Sequence, residues 1–523
     1  MIKSIKRFAA AMMLSLAGMA SYSCDGPEDN PDGAGGYPEN QLYKPAFSKS
    51  KVLKNPLSGW VMYMSASSDV SYLDTEFYIS ELAQTVKVRD YATCCYIRTG
   101  WSIFNPADGV YAWRDPSSQL YKLIHKAHEY GLPVAFRIVV DGRDQRANTP
   151  QFVLDAGAKY LIDNVKYSDR KTPLPQDPVF QRYYEKFVTA LAEDFNDPEK
   201  CAFIDGYGLG KWGEGHTVAY SELGCEVVDE NTQRLKEEVM EWITKLYSSK
   251  FTNVPLVMTY HRSLGHPKGL SSSEYDLSTK ALNIAINNGY ILRSDAFGMN
   301  DYYGNWERGT AASWRFKRPI IMEGGWIVGQ HSYWNDPAKY RRDHPEDVRK
   351  GEYDASKEAH VNMMDFRVGA ETQSWFTNAF DLVQKFISEG GYRIYPDQVY
   401  LPAKVSQGKE VKISSRWRNV GWGYLPNNIP QWNYRYKVAF SLLNSQGDPV
   451  ETYVMDEAEP SEWTDSKPFS YDFVTKVNAP KGKYEWGVAI VDVTKDNTPA
   501  IALAVNEKVT SSGWVKLSTT EIE

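Results

Sequence analysis

Short apolar runs alternate with amphipathic stretches between residues 50 and 390. In the amphipathic stretches, apolar residues recur every three or four positions, as at Phe180, Tyr184, Phe187 and Leu191, which predicts helices. The apolar runs that we interpret as strands are 61–65, 93–99, 134–140, 203–209, 255–260, 296–301, 319–323 and 371–375. Eight alternating strand and helix units predict a closed (β/α)8 TIM barrel. The surplus over about 250 residues is expected in long loops, 326–354 among them.

After residue 390 the helical period disappears and the chain alternates apolar and polar positions. Examples are 411–417, 436–443 and 484–491, and turn sequences such as Gln446-Gly447-Asp448 separate them. This pattern predicts an all-β, immunoglobulin-like sandwich over 391–523. We interpret the sandwich as a structural module that covers one flank of the barrel. A carbohydrate-binding role stays open, and the aromatic residues that would serve it are Trp417, Trp422, Tyr424 and Trp432.

The first 23 residues have the layout of an export signal. Lys3, Lys6 and Arg7 give a positive start, an apolar run follows over 8–20, and small residues precede Cys24. The run is too short to cross a bilayer as a finished helix. Residues 24–49 are acidic and rich in glycine and proline at their start, which predicts a flexible tether before the barrel over 50–390.

This beginning resembles a bacterial lipoprotein signal, with Cys24 as the acylated residue. The acidic residues after Cys24 resemble the surface-export signal of lipoproteins from the Bacteroidetes. The resemblance implies an exported protein, held at the outer membrane or cell surface of a Gram-negative bacterium through lipidated Cys24. An ordinary secretory signal is the alternative.

Charge and composition narrow the class of partner. Lys and Arg number 59 and Asp and Glu 66, a formal net charge of −7, so no basic excess is present to bind a phosphate backbone. Nucleic acid is therefore not expected as a partner. Aromatic residues make up 14% of the chain, and aromatic faces suit ligands that combine apolar and hydroxylated faces, as sugars do.

Four cysteines follow Cys24, namely Cys94, Cys95, Cys201 and Cys225. They form no CxxC pair and no Cys/His cluster, so the sequence predicts no zinc site. Buried thiols are the expectation, although a bond between Cys201 and Cys225 stays open. Phosphate-loop, HExxH and EF-hand patterns are absent from the sequence, and we expect neither a metal nor another cofactor.

Two glutamates follow predicted strands and are the candidate catalytic groups. Glu214 ends the segment after strand four, and Glu323 ends the apolar run Ile320-Ile321-Met322 of strand seven. In such barrels reactive groups lie at the carboxyl ends of the strands. Glycoside hydrolysis uses a pair of carboxyl groups, one protonated and one ionised. These two positions therefore suggest that chemistry.

The two glutamates and the segment 99–113, with its Trp101, Pro106 and Gly109-Val110-Tyr111, resemble the clan of retaining (β/α)8 glycoside hydrolases that includes β-galactosidases and endoglucanases. The resemblance covers roughly residues 50–390. It implies that Glu323 is the nucleophile and Glu214 the acid/base, acting on a polysaccharide or oligosaccharide substrate.

Further polar and aromatic residues at predicted strand ends are candidate substrate contacts: Arg98, Trp101, Arg137, Asp141, Trp212, His216, His261, Asn300, Tyr302, Trp326 and Trp375. Arg98 and Tyr302 or Tyr303 are expected to keep Glu323 ionised. The apolar face of Trp212 is expected to raise the pKa of Glu214. Trp375 resembles the aromatic floor of such sites, on which a sugar ring stacks.

Two other readings stay open. Gly213 stands where the clan usually has an asparagine that contacts the sugar, so Asn300 or His216 would have to supply that contact. The alternative to an enzyme is a non-catalytic glycan-binding lipoprotein built on the same barrel. Carboxyl groups more than about 10 Å apart would favour that binder, whereas about 6.5–9.5 Å would favour inversion. The sugar, the linkage and the oligomeric state are not predicted.

Overall fold

The computed structural model describes residues 40–65, 68–142, 146–162, 170–222, 230–266, 271–297, 299, 302–326, 328 and 345–523. The strands in these ranges are β1 (Asn40–Tyr43), β2 (Gly59–Ser65), β3 (Glu76–Ile79), β4 (Gln84–Lys87), β5 (Ala92–Gly100), β6 (Val134–Val139), β7 (Tyr160–Ile162), β8 (Lys171–Pro173), β9 (Cys201–Asp205), β10 (Leu256–Thr259), β11 (Ile291–Phe297), β12 (Ile320–Gly324), β13 (Met363–Asp365), β14 (Ile394–Pro402), β15 (Lys404–Val405), β16 (Glu410–Asn419), β17 (Tyr436–Leu443), β18 (Pro449–Met455), β19 (Phe469–Lys476), β20 (Gly482–Asp492), β21 (Thr498–Ile501) and β22 (Val515–Ile522). The helices are α1 (Val88–Tyr91), α2 (Trp101–Phe104), α3 (Gln119–Glu129), α4 (Gln151–Asp155), α5 (Pro178–Phe195), α6 (Glu230–Lys250), α7 (Tyr275–Asn287), α8 (Asn305–Trp314), α9 (Pro345–Glu358), α10 (Ala370–Asn378) and α11 (Phe380–Glu389).

Eight parallel strands close into a barrel in the order β2-β5-β6-β9-β10-β11-β12-β13, with β13 pairing back to β2. The TIM barrel predicted from the sequence is confirmed. Helices cover its outer face, and α5 illustrates why they form. Asp177 caps its start by accepting hydrogen bonds from the backbone N–H groups of Val179 and Phe180, and its apolar stripe is buried against the strands.

Each barrel strand turns one apolar residue inward near its amino end. We call these residues the inner apolar set: Val61, Cys94, Ala135, Phe203, Val257, Ile291, Ile321 and Met363. They belong to the same buried cluster as the core of the β-rich part after residue 390. The amino end of the barrel is therefore closed by that second part of the chain.

The second part consists of two sheets, ordered β1-β14-β16-β19 and β15-β22-β20-β17-β18, with β21 on β20. Helix α11 ends at Glu389 and β14 begins at Ile394, so helices give way to strands between these two residues. The four aromatic residues considered as a sugar platform, Trp417, Trp422, Tyr424 and Trp432, are all buried. This favours the structural role.

Three sequence predictions need correction. Strand six is β11, five residues before the predicted 296–301, and strand eight is the three-residue β13. Residues 371–375, predicted as that strand, lie in α10, which begins after Gly369 at a φ of 65°. The last residues of the predicted tether are also structured, since β1 pairs antiparallel with β14.

Cys94, Cys95 and Cys201 are buried free thiols, and Cys225 lies outside the described residues. Cys24 and the predicted signal peptide lie outside them as well. Among the helices that the structure describes, none combines the length and apolar character that crossing a bilayer needs.

Candidate active site

A ring of polar side chains lies above the inner apolar set. Two residues further along each strand, the side chain again points inward, because strand side chains alternate. We call these residues the inner polar set: Tyr63, Tyr96, Arg137, Asp205, Thr259, Arg293, Glu323 and Asp365. All eight are buried. The carboxyl half of the barrel interior is thus a network of charged groups, which is costly unless they are paired.

Glu323 is the centre of this network. Oε1 accepts from Arg367, while Oε2 accepts from Arg293 at 3.2 Å and 2.5 Å and lies 3.3 Å from Nη1 of Arg137. Burial by itself raises the pKa of Glu323, but the guanidinium groups of Arg367, Arg137, Arg293 and Arg98 outweigh it. The pKa therefore lies well below its usual range, and Glu323 is ionised.

Glu214 lies at the end of a strained turn after β9. Trp212 and Gly213 have φ angles of 59° and 75°, a left-handed conformation that is strained for tryptophan. Oε1 of Glu214 lies 3.5 Å from Nη1 of Arg137, and Oε2 lies 3.4 Å from Nε2 of His216. The side chain is 17% exposed, so Glu214 faces the barrel mouth.

The expectation that Trp212 raises the pKa of Glu214 is wrong. Burial raises this pKa, but hydrogen bonding to His216 and the charge of Arg137 outweigh burial and lower it. The Trp212 ring packs instead against His216, with ring centroids 5.5 Å apart. Gly213 packs on Arg137, where an added Cβ would meet Cγ and Cδ at 3.5 Å.

Arg137 connects the two candidate catalytic groups. Because Oε1 of Glu214 and Oε2 of Glu323 contact the same nitrogen at 3.5 Å and 3.3 Å, they lie at most about 7 Å apart, within reach of a two-carboxylate mechanism. The separation of more than about 10 Å that would favour a binder is therefore not observed. Arg137 is itself wholly buried and pairs with Asp205 and Asp295.

Asp295 is a third carboxyl group at the mouth that the sequence interpretation missed. It follows Arg293 by two residues on β11 and is 13% exposed. Both its oxygens accept hydrogen bonds from Arg137, at 3.1 Å and 3.2 Å. Burial and the neighbouring Glu323 and Glu214 raise its pKa well above the usual range, although Arg137 and Arg293 act in the opposite direction.

Asp365, the β13 member of the inner polar set, was also missed. Its side chain is fully buried and accepts a hydrogen bond from the backbone N–H of Gly324 at 3.1 Å. Burial raises the pKa of Asp365 to about 6, while the charge of Arg367 opposes the rise. Asp365 thus connects β13 to the end of β12, where Glu323 lies.

Trp326 and Arg367 form the aromatic part of the mouth. The Arg367 guanidinium carbon lies 4.8 Å from the ring centroids of both Trp326 and Tyr63. Trp326 is 42% exposed, and it lies directly beside the guanidinium that binds Glu323. This is the arrangement expected of a platform for a sugar ring.

The backbone after β12 is held by two buried carboxylates. Glu352 accepts from the N–H of Gly325 at 3.1 Å, and Glu371 accepts from the N–H of Val328 at 2.9 Å. Both carboxylates also accept from Arg349. Burial raises the pKa of Glu352 to about 7, since Glu371 is close and Arg349 offsets only part of the cost. These contacts fix the segment that carries Trp326.

Other predicted substrate contacts lie elsewhere. Trp101 packs among Phe180, Tyr184 and Phe187, and Trp375 packs against Trp60 at 4.9 Å; both are fully buried and belong to the core. Asp141 is buried and accepts from Thr172 at 2.8 Å. The prediction that Trp101, Trp375 and Asp141 contact the substrate is wrong, because other residues of the protein cover each side chain.

The remaining candidates divide into two groups. His216 lies beside Glu214, and the ring centroids of His216 and His261 are 5.2 Å apart. Tyr303 stacks on Phe297 and Tyr302 packs near Met299, on the α8 side of the mouth. Asn300 lies outside the described residues. Within the described ranges, no group of three or more His, Cys, Asp or Glu residues is arranged to hold a metal ion.

No family model and no curated protein matches this sequence. Among solved structures, an endo-β-1,4-mannanase from Thermotoga petrophila is 12% identical, with 90% of this chain and 98% of that chain covered and a TM-score of 0.34. The catalytic domain of a β-amylase from Paenibacillus polymyxa is 10% identical, covering 64% and 98%, with a TM-score of 0.38. Endo-glycoceramidase II from Rhodococcus sp. is 12% identical, covering 83% and 100%, with a TM-score of 0.35. Likeness this low carries no argument about activity, and the barrel assignment rests on the strand pairing described above.

Proposed function

We propose that this protein is a glycoside hydrolase whose reaction takes place at the carboxyl end of the barrel. The observation that carries the proposal is the convergence of Glu214 and Glu323 on Nη1 of Arg137. One carboxylate comes from the turn after β9 and the other from β12, and their separation allows a two-carboxylate mechanism. The exposed ring of Trp326 beside this pair offers a stacking surface for a sugar.

In the proposed reaction Glu323 is the nucleophile. Its low pKa keeps it ionised, as attack on the anomeric carbon requires. Attack breaks the glycosidic bond and forms a covalent glycosyl ester on Glu323. Water then hydrolyses this ester, which gives retention of the anomeric configuration.

Glu214 is the proposed acid/base. It protonates the leaving oxygen in the first step and takes a proton from water in the second. An acid needs a higher pKa than Glu214 has in the ligand-free protein. Burial has the largest influence on this pKa and raises it. A bound sugar that covers the exposed part of the side chain increases the burial and therefore raises the pKa of Glu214 further.

Hydrolysis is tested by incubating the purified protein with a panel of plant, host and microbial glycans and measuring released reducing ends. Glu323→Gln should lower turnover by at least about a thousandfold on any substrate found, because the neutral amide cannot form the ester. Glu358→Gln, an exposed change on α9, is the matched control and should leave turnover unchanged. Retained activity in Glu323→Gln would refute the assignment.

The stereochemical outcome needs its own measurement. Proton NMR of the first sugar released distinguishes the α from the β anomer before mutarotation. The retaining mechanism predicts the anomer of the substrate, whereas the opposite anomer would assign Glu323 to activating water in an inverting reaction.

Anchoring through Cys24 is part of the proposal. It is supported by the sequence around Cys24. In a Gram-negative host, the wild-type protein should fractionate with membranes and be accessible to protease on intact cells. Cys24→Ala should release it in soluble form. Soluble wild-type protein would instead support an ordinary secretory signal.

A non-catalytic glycan-binding protein is the second candidate. The observation that favours it is the engagement of both Glu323 oxygens by three arginines, which competes with attack on a substrate. This candidate predicts glycan binding that Glu323→Gln leaves measurable, and no product from wild-type protein on any glycan that it binds.

A further inference from the structure

Arg98 differs from the other three arginines at the mouth. It lies two residues after Tyr96 on β5 and is half-buried. Nη2 donates to the backbone oxygen of Trp212 at 3.0 Å, and Nε is buried without a hydrogen-bond partner. Among the described residues, no carboxylate lies within ion-pair distance of Arg98. Nε is too buried to reach a ligand, so the donors left for one are Nη1 and the second N–H of Nη2.

The carboxylates around Arg98 already have other cations. Glu323 is bound by Arg293 and Arg367, and Asp295 accepts from Arg137 through both oxygens. The charge of Arg98 lowers the pKa of Glu323 without forming an ion pair with it. Among the described residues, the ion pairs of this network are thus made by Arg137, Arg293 and Arg367, and Arg98 takes no part in them.

A second cation lies on the same turn. Nζ of Lys211 is 4.9 Å from the Trp212 ring centroid, while Arg98 binds the carbonyl of the same residue. Trp212 thus has a cation at its ring and another at its backbone, and its own side chain is half-buried. Lys211 and Arg98 therefore both contact the residue two positions before Glu214.

We propose that the glycan bound at this mouth carries an anionic group, a carboxylate or a sulfate ester, and that Arg98 binds it. The planar guanidinium offers paired N–H donors that match two oxygens of either anion. The proposal rests on the glycan ligand of the proposed function but does not require hydrolysis.

The test measures binding to polysaccharides paired by charge. Polygalacturonate is compared with methyl-esterified galacturonan for the carboxylate, and carrageenan with agarose for the sulfate; alginate and chondroitin sulfate extend the acidic set. We expect an acidic polymer to bind at least about tenfold more tightly than its neutral counterpart. The pair that shows the difference identifies the anion.

Variants assign the binding to Arg98. Arg98→Gln should lose the preference for the acidic polymer, and Arg98→Lys should keep only part of it, because it retains charge without the fork. Arg182→Gln removes an exposed cation from the outer helix α5 and should change nothing. Thermal unfolding of each variant establishes that it is folded.

The outcomes separate this inference from the proposed function. Acidic polymers that bind but are not cleaved would support the role of Arg98 and refute hydrolysis. Cleavage of neutral glycans together with no preference for any acidic polymer would refute the role of Arg98 alone. Equal loss of acidic binding in Arg182→Gln, or none in folded Arg98→Gln, would also overturn it.

Discussion

Arg293 donates two hydrogen bonds to a single oxygen of Glu323, from Nε at 3.2 Å and from Nη2 at 2.5 Å. Both residues are buried, so the ion pair is shielded from solvent. Such a pair keeps a carboxylate ionised at a pH where it would otherwise bind a proton. The ionisation of the proposed nucleophile therefore depends on a residue of the neighbouring strand.

Replacing Arg293 by Gln should move the acidic limb of the pH–activity profile to higher pH. Loss of one cation raises the pKa of Glu323, so a larger fraction is protonated and inactive at a given acidic pH. The variant should also unfold more easily, by about 3–5 kcal/mol, since buried carboxylates lose a partner. Measuring kcat/KM between pH 4 and pH 8 checks the first effect. An unmoved acidic limb in Arg293→Gln, with Arg182→Gln as reference, would contradict this account.

Glu352 should make the protein less stable as pH rises. Its pKa in the folded protein is raised to about 7, so folding favours the protonated form. The stabilisation is complete below about 4.3, the pKa of a glutamate in the unfolded chain, and is lost as pH rises through about 7. The free energy of unfolding should fall by on the order of 3 kcal/mol over this range. Glu352→Gln cannot ionise, and its melting temperature should fall less between pH 5 and pH 8. Exposed Glu358→Gln on the same helix should retain the wild-type slope; equal slopes in all three proteins would contradict the prediction.

Truncating Trp326 should weaken substrate binding, whereas truncating Trp375 should destabilise the fold. Trp326 is 42% exposed, so Trp326→Ala should raise KM about 5- to 30-fold with little change in stability. Trp375 is fully buried, so Trp375→Ala should destabilise the fold by about 3–5 kcal/mol through the cavity it leaves. Urea unfolding and steady-state kinetics measure the two effects. Tyr78→Ala, at a 64% exposed site on β3, is the control for loss of an exposed ring. Unchanged KM in Trp326→Ala would exclude the platform.

The barrel could be predicted because several of its strands are continuous apolar runs. Ile320-Ile321-Met322 predicts β12 within one residue at each end. In β11, by contrast, the charged residues Arg293 and Asp295 alternate with Leu292 and Ser294. These charges interrupt the apolar run by which a buried strand is recognised in the sequence. Strand β13 has three residues, too few for a periodic signal, so Asp365 was missed with it.

The inner polar set shows what signal would have found the missed residues. Each member follows an inner apolar residue by two positions, as Asp205 follows Phe203 and Arg293 follows Ile291. On the strands as the structure has them, this spacing gathers Asp205, Arg293 and Asp365 beside Glu323, but it could find Arg293 and Asp365 only once β11 and β13 were correctly placed. The pairing among them could not be predicted in this way, because it depends on which side chains the closed barrel brings together.

Removing the sandwich should make the barrel insoluble. The inner apolar set shares one buried cluster with Trp417, Phe440 and Trp486 of the sandwich. Polar contacts cross the same boundary: Asn362 donates to the carbonyl of Tyr424 at 2.8 Å, and Trp422 donates to that of Val361 at 2.7 Å.

A chain that ends at residue 390 would expose this apolar end to water and lose those hydrogen-bond partners. We expect it to aggregate on expression, and size-exclusion chromatography with light scattering of the soluble fraction measures this. A chain that keeps the sandwich but begins at residue 40 retains β1 and every described contact, and should remain soluble. A soluble, cooperatively unfolding chain that ends at residue 390 would show that the barrel core is independent of the sandwich, contrary to the shared cluster.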